Sequence, residues 1–338
     1  MTKYVVVDVS NLAHRTRHVI QRYDSTEELL AMILQLFFNS LNKTFHKMGG
    51  EHLVLCFDEG TYWRELEYPD YKLSRRIAKE TRTPKEKEED KMLYEMIVDL
   101  KEFFRDHTNA TVLSEYGLEA DDFCARFTQL HDAPDSHILV STDSDFRQLV
   151  SDNVVLFDPR DQSLYTMDGV YHQDGLRPSR RDIVVKLYGE NWKVKRDKKG
   201  EVIKFDPEYD LFFKCIRGDS SDYIKSAYPR VRETRLKEVF AKRGSLDWNK
   251  FLGEQWDSKD DSSPIVRDRY LFNKSLIDLT AQPTEIIELL DESIEIALDK
   301  KPTQFAGIAF GKFCKKHRLP NLMNSISKFG KILSSGYR

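Results

Sequence analysis

Tyr4-Val5-Val6-Val7-Asp8 is a run of aromatic and β-branched residues that stops at a carboxylate. Four apolar residues bounded by polar ones are too few for a helix. They read as a strand buried on both faces, the habit of parallel sheets. The pattern recurs in Leu53-Val54-Leu55-Cys56-Phe57-Asp58 and Ile138-Leu139-Val140-Ser141-Thr142-Asp143, with Glu119-Ala120-Asp121-Asp122 between them. In an open parallel sheet, ligands bind beyond the carboxyl ends of the strands, which is where this chain places its acids. Carboxylates gathered in one crevice resist ionisation unless cations neutralise them. Hard oxygen donors suit magnesium or manganese. These runs predict an α/β protein with metal-dependent chemistry on phosphate.

Helices fill the gaps between the strands. Ser25 is placed to cap a helix reaching about residue 47, with Leu29, Leu30, Ile33, Leu34, Phe37, Phe38 and Leu41 on its buried face. Pro84 suits the first turn of a second helix, over about 85–105. Further strands are expected at 111–113 and 153–157, a helix at 119–131 and a helical turn at 145–150. Residues 61–84 show no clean period. This alternation predicts a mainly parallel central sheet with flanking helices over residues 1–160. A mostly helical region, 161–338, is expected to follow. Within it, 161–206 reads as short strands around one helix at 179–189, with a hairpin at Lys193–Lys204, and Glu254–Asp261 reads as an exposed loop.

Composition narrows the class. The chain has 338 residues, 40% hydrophobic and 32% charged, which fits a soluble globular protein. Its net charge of −3 gives no global attraction for nucleic acid, so any such attraction must be local. Cys56, Cys124, Cys215 and Cys314 are too widely spaced for a zinc site and read as free thiols in a reducing, cytoplasmic setting. Neither a secretory signal nor a membrane span is expected, and a monomer is.

The acids that could carry chemistry are Asp8, Asp58, Glu119, Asp121, Asp122, Asp143, Asp145, Asp219 and Asp222. An aspartate after a strand is often only a helix cap, and acids in a helix's first turn answer its dipole. Capping explains one or two of these residues and is a poor account of nine. Two magnesium ions about 4 Å apart would clamp a phosphodiester between them. Bases cluster too: six against one acid over Lys72–Lys85, just after Tyr62, Trp63, Tyr68 and Tyr71. Seven stand against two acids over Lys225–Arg243, and seven against none from Pro302 onward. Aromatics beside bases can stack on nucleobases while the cations meet phosphates.

These motifs, in this order, resemble the flap endonuclease/5′-nuclease family, and within it the ribonucleases H of T-even-type phages. The matching pieces are VVDVSNLAHR at 6–15, LCFDEGTYWRELEYPDYKLSRR at 55–76, YGLEADDFCA at 116–125, STDSDFRQL at 141–149 and IRGDSSDYI at 216–224. RYLFNKSLIDL at 269–279 is similar as well. The resemblance implies a PIN-like nuclease fold with a helical arch over 72–105 through which a 5′ single strand threads. It implies 5′-3′ exonuclease, ribonuclease H and flap endonuclease activity that removes RNA primers and short flaps during replication. Asp8, Asp58, Glu119, Asp121 and Asp143 would serve a first Mg2+. Asp122, Asp145, Asp219 and Asp222 would serve a second, with Mn2+ able to substitute. Lys72 with Arg75 or Arg76 would contact the scissile phosphate, and Tyr71, Lys79, Arg82, Arg230, Arg232 and Arg235 would bind nucleic acid. The implied partners are branched and 5′-flap DNA, RNA–DNA hybrid duplex, and a single-stranded-DNA-binding protein or sliding clamp. One departure stands out. Relatives carry a glycine-rich hairpin in a helix-turn-helix near 207–243, and residues 225–232 here hold no glycine. The alternatives are a PIN-type endoribonuclease on folded RNA and a catalytically dead DNA-junction binding module.

Overall fold

The computed structural model describes residues 2–20, 22–131, 134–173, 183–256 and 264–335. The first half runs β1 (Lys3–Asp8), α1 (Val9–Val19), α2 (Thr26–Lys47), β2 (His52–Cys56), α3 (Tyr62–Glu67), α4 (Leu73–Glu80), α5 (Pro84–His107), β3 (Thr111–Leu113), α6 (Ala120–Leu130), β4 (Ser136–Val140), a 3₁₀ turn (Ser144–Leu149) and β5 (Val154–Asp158). The strands lie in the order β3-β2-β1-β4-β5, all parallel. Register places Val7 opposite both Leu55 and Val140. Three strands therefore end level, and Asp8, Asp58 and Asp143 leave the sheet from one edge.

Alternation along β1 explains the layers. Val5 and Val7 face a core shared with Ile33, Phe37 and Phe38 of α2 and Leu100 and Phe104 of α5. Tyr4 and Val6 face the opposite core, with Phe123 and Phe127 of α6. Each side chain buried in this way contributes roughly 1.5–3 kcal/mol. Ser25 caps α2, accepting from the Glu28 amide, and Thr83 with Glu86 forms a capping box on α5.

The sheet does not stop near residue 160. Strands β6 (Ser163–Thr166), β7 (Gly169–His172), β8 (Val184–Leu187) and β9 (Glu190–Val194) extend it antiparallel, in the order β5-β6-β7-β9-β8. The helix expected over 179–189 is thereby corrected across 184–187; residues 179–182 lie outside the described residues. The cause is local. Val184-Val185-Lys186-Leu187 alternates in exposure, and Tyr188-Gly189, both at positive φ, makes the two-residue turn of a hairpin. After β9, an antiparallel bridge between Arg196 and Val202 closes the expected hairpin around Gly200.

The remaining helices are α7 (Pro207–Arg217), α8 (Glu233–Ala241), α9 (Leu246–Leu252), α10 (Val266–Ile277), α11 (Thr284–Leu298), α12 (Ala306–Lys316), α13 (Pro320–Met323) and α14 (Ile326–Ser334). They are not one lobe. Phe212, Ile216, Leu236, Phe240, Phe251 and Val266 join α7–α10 around their own core. Leu290 and Ile294 of α11 enter the α6 layer, whereas Phe310, Phe313, Phe329 and Ile332 of α12 and α14 enter the α2–α5 layer. Of the expected loop at Glu254–Asp261, residues 257–261 lie outside the described residues. The aperiodic stretch 61–84 contains α3 and α4. No residue of α4 is buried, and its one apolar pair a turn apart, Leu73 and Ile77, is too short a signal to read as a helix. Among the described residues no helix is long and apolar enough to cross a membrane.

Candidate metal centre

Asp8 ends β1 and caps α1, its Oδ1 accepting from the Asn11 amide at 3.0 Å and its Oδ2 from Ser141 Oγ at 3.4 Å. Asn11 in turn accepts from the amide and hydroxyl of Thr142 at 3.1 and 2.9 Å, tying α1 to the end of β4. Asp58 accepts from the Ala120 amide at 2.8 Å, which fixes the first turn of α6 beside β2. Asp143 caps the 3₁₀ turn through the Asp145 amide at 2.9 Å. These bonds hold Asp8, Asp58, Asp121 and Asp143 within range of one another's charge. Burial, then Asp58 and Asp143, pushes the Asp8 carboxyl up to about 8. Burial, then Asp8 and Asp143, holds Asp121 well above the usual carboxylate range. In both, burial and neighbouring acids win, and Lys72 offsets them only in part at Asp121.

A second group sits beside the first. Ligand oxygens of Asp145, Asp219 and Asp222 lie within 4.8 Å of one another, the one such trio among the described residues. Asp219 and Asp222 belong to the turn after α7, closed by an antiparallel bridge from Asp219 to Ile224. Gly218 makes that turn possible. Its φ is +73°, and a Cβ there would stand 2.3 Å from the Ile224 carbonyl oxygen. Lys214, on the last turn of α7, pairs with Asp145 and lies 2.7 Å from Asp219. Burial raises the Asp219 carboxyl, but Lys214 and Ser221 outweigh it and bring it down to about 2.

Residues from the α3–α4 segment line the other wall. Lys72 adopts the left-handed conformation at the start of α4 and pairs with Glu119. The buried Tyr71 hydroxyl lies 3.1 Å from Glu119 Oε2 and 3.3 Å from Asp222 Oδ2. Burial pushes its pKa well up, so it remains a donor. Arg75 pairs with Asp222 at 2.9 Å. Arg76 turns away, donating to the Pro69 carbonyl. Lys79 is exposed on α4, and Arg82 pairs with Asp90, which Arg17 also holds at 2.8 Å. Arg230, Arg232 and Arg235 are brought together around Tyr228, apart from the acids, and Arg235 is paired with Glu254.

One placement corrects the expected ligand set. Asp122 is fully buried and spent on Arg64, at 2.8 and 3.0 Å, and on Trp63 Nε1 at 3.2 Å. It lies beneath the crevice with its oxygens taken and does not join Asp145, Asp219 and Asp222. Arg64, 1% exposed, also reaches Glu119 at 2.9 Å and the Leu276 carbonyl of α10 at 3.3 Å. Neither Arg64 nor Lys214 emerged from the sequence. Lys214 does fall four residues before Gly218, on the turn of helix that leads to the acids. Nothing in Tyr62-Trp63-Arg64-Glu65 marks an arginine that points inward. The donor set fits a hard divalent cation: all-oxygen, carboxylate-rich, and with burial and mutual repulsion prevailing at Asp8 and Asp121.

A family model for the N-terminal resolvase-like domain of 5′-3′ exonucleases matches residues 3–175. The chain is 23% identical over 225 residues to a 5′-3′ exonuclease of Mycoplasmopsis pulmonis, across 66% of this chain and 61% of that relative. It is 27% identical over 169 residues to the flap endonuclease of Escherichia phage T5, across 49% of this chain and 55% of the phage protein. The chain thus spans less than two thirds of the length of these relatives. A crystal structure of the T5 flap endonuclease with DNA and metal ions superposes with a TM-score of 0.58 at 19% identity, covering 87% of this chain and 99% of that one. At that identity the likeness is one of fold.

Proposed function

The chain belongs to the 5′-3′ exonuclease family, and we propose that it is a structure-specific 5′-nuclease. It cuts phosphodiesters near the 5′ ends and flaps of DNA and RNA–DNA duplexes, and in a cell it removes RNA primers and short flaps at replication. The observation that carries this reading is the pair of adjoining carboxylate groups at one sheet edge, in one of which burial and mutual repulsion outweigh the nearby Lys72, walled by Lys72 and Arg75.

Asp8, Asp58, Glu119, Asp121 and Asp143 would hold one divalent ion, and Asp145, Asp219 and Asp222 a second. Mg2+ is the expected ion and Mn2+ a substitute. Bound there, the ions would activate water and neutralise charge on the reacting phosphate. Lys72 and Arg75, now paired with Glu119 and Asp222, would be free to donate to phosphate oxygens when those carboxylates serve as metal ligands. Their charge would meet what builds up as the bond breaks. Tyr71, buried between both acid groups, keeps their spacing by donating a hydrogen bond. Helices α4 and α5 would form the arch over a 5′ single strand.

Asp143→Asn tests the reading on 5′-labelled DNA and RNA–DNA flap duplexes in Mg2+. The single-turnover rate should fall by orders of magnitude while binding stays near the wild-type level. A variant as fast as the wild type would overturn the assignment of Asp143, and a wild type that leaves both flaps intact would overturn the function.

A further inference from the structure

A cavity of ≈ 1000 Å³ lies away from the acids, between the last turns of α2 and the antiparallel strands. Lys43, Lys47 and Arg160 line it with Asp161 and Glu190, and the exposed Arg160 also meets Asp158 at 3.0 Å. Asp161 is already engaged by Lys195 at 2.8 Å. This concentration of cations arises in a chain of net charge −3, so it is not the overflow of a basic protein. Lys47 is half-buried with an unusual floor. Its ammonium lies 4.9 Å above the Phe157 ring and 4.7 Å above that of Trp192, and donates to Gln162 Oε1 at 2.9 Å. Burial, then Lys43, brings that ammonium down to about 8.

One wall of the cavity, residues 160–162, follows β5 at the edge of the sheet where the acids lie. Strands β1, β4 and β5 are parallel neighbours, so Asp158 at the end of β5 stands two strand spacings, about 10 Å, from Asp8. Arg160 follows two residues later. Arg15 of α1 donates to the Pro159 carbonyl at 3.1 Å, fixing the helix that starts at Asp8 to the cavity's rim.

We infer that this cavity is a phosphate-binding site, and that it takes the backbone of a nucleic-acid arm leaving the acidic crevice along the carboxyl edge of the sheet. The inference rests on the 5′-nuclease reading for its ligand. Each backbone phosphate neutralised by a lysine or arginine releases condensed counterions, which makes the contact visible in salt dependence.

The test uses Lys43→Gln/Arg160→Gln, two side chains at the surface, and separately Lys47→Gln. Binding of flap substrates with a long and a short duplex arm is measured in chelator between 50 and 200 mM salt. The double variant should lose about 0.9 of salt slope for each lost contact, about two in all, on the long arm only. Its single-turnover rate at saturation should match the wild type. An unchanged slope beside normal wild-type cleavage overturns this inference and leaves the nuclease reading standing; a wild type without cleavage fails that reading instead. A third arm follows thermal midpoints with tripolyphosphate. Protection that Lys47→Gln abolishes, with DNA slopes unchanged, assigns the cavity to small phosphates and overturns the backbone source.

Discussion

At the scale of single residues, the wall of the crevice separates two kinds of cation. Lys72 reaches Glu119 from a left-handed backbone position and remains 16% exposed in its side chain. It can therefore exchange a carboxylate for a phosphate oxygen. Lys72→Ala should slow the chemical step about 10²–10³-fold, the usual effect of removing one preorganised stabiliser, and single-turnover rates check this. A rate within twofold of wild type would make Lys72 a surface charge only. Arg64 is of the other kind, walled in beneath Asp122 and Glu119. Arg64→Met leaves those acids buried without their partner and should cost about 3–5 kcal/mol in denaturant unfolding. Arg64→Lys should rescue little, since one ammonium cannot reproduce the forked contact. Asp8, Asp58 and Asp143 were legible because each ends an apolar run. Arg64 was not, because only tertiary packing decides that it points inward.

At the scale of elements, the turn after α7 is the most demanding piece of backbone near the site. Gly218→Ala should open it, since the new Cβ cannot stand 2.3 Å from the Ile224 carbonyl. Asp219 and Asp222 would then lose their placement relative to Asp145. The expected outcome is a lower thermal midpoint together with a higher Mg2+ requirement for cleavage, both measurable on the purified variant. A variant with wild-type metal dependence would show that the trio tolerates a loosened turn. The β-runs and the α2 face could be read in the sequence since period and burial coincide there. Helix α4 could not, because its eight residues hold a single apolar pair, Leu73 and Ile77, and bury none of it. Strand β8 was hidden for a different reason: four residues joined by a two-residue turn carry too little pattern to outweigh a helical reading.

Across the whole molecule, the uncompensated acids link stability to pH and metal. An unfolded aspartate ionises near pH 4, whereas Asp8 in the metal-free fold holds its proton until about pH 8. The folded state binds the extra proton between those values. Stability of chelated protein should therefore fall as pH rises from about 4 to about 8. Mg2+, which favours the ionised form, should raise the thermal midpoint more at pH 8 than at pH 5.5. Melts with and without chelator across that range check the sign, and equal protection at both pH values would remove Asp8 from the metal's surroundings.

The closure of α12 and α14 onto α2 and α5 has a temporal side. Phe38 and Phe103 pack against Phe310 and Phe313, more than 200 positions further along the chain. On a translating ribosome the N-terminal helices emerge long before their covering partners exist. That aromatic face must wait, wetted or shielded by a chaperone, until α12 and α14 are made. Contacts this distant in sequence fold slowly, and an unfinished layer is prone to aggregation. The proposed metal centre should accordingly mature only after α12 and α14 have emerged, well after the acids that compose it.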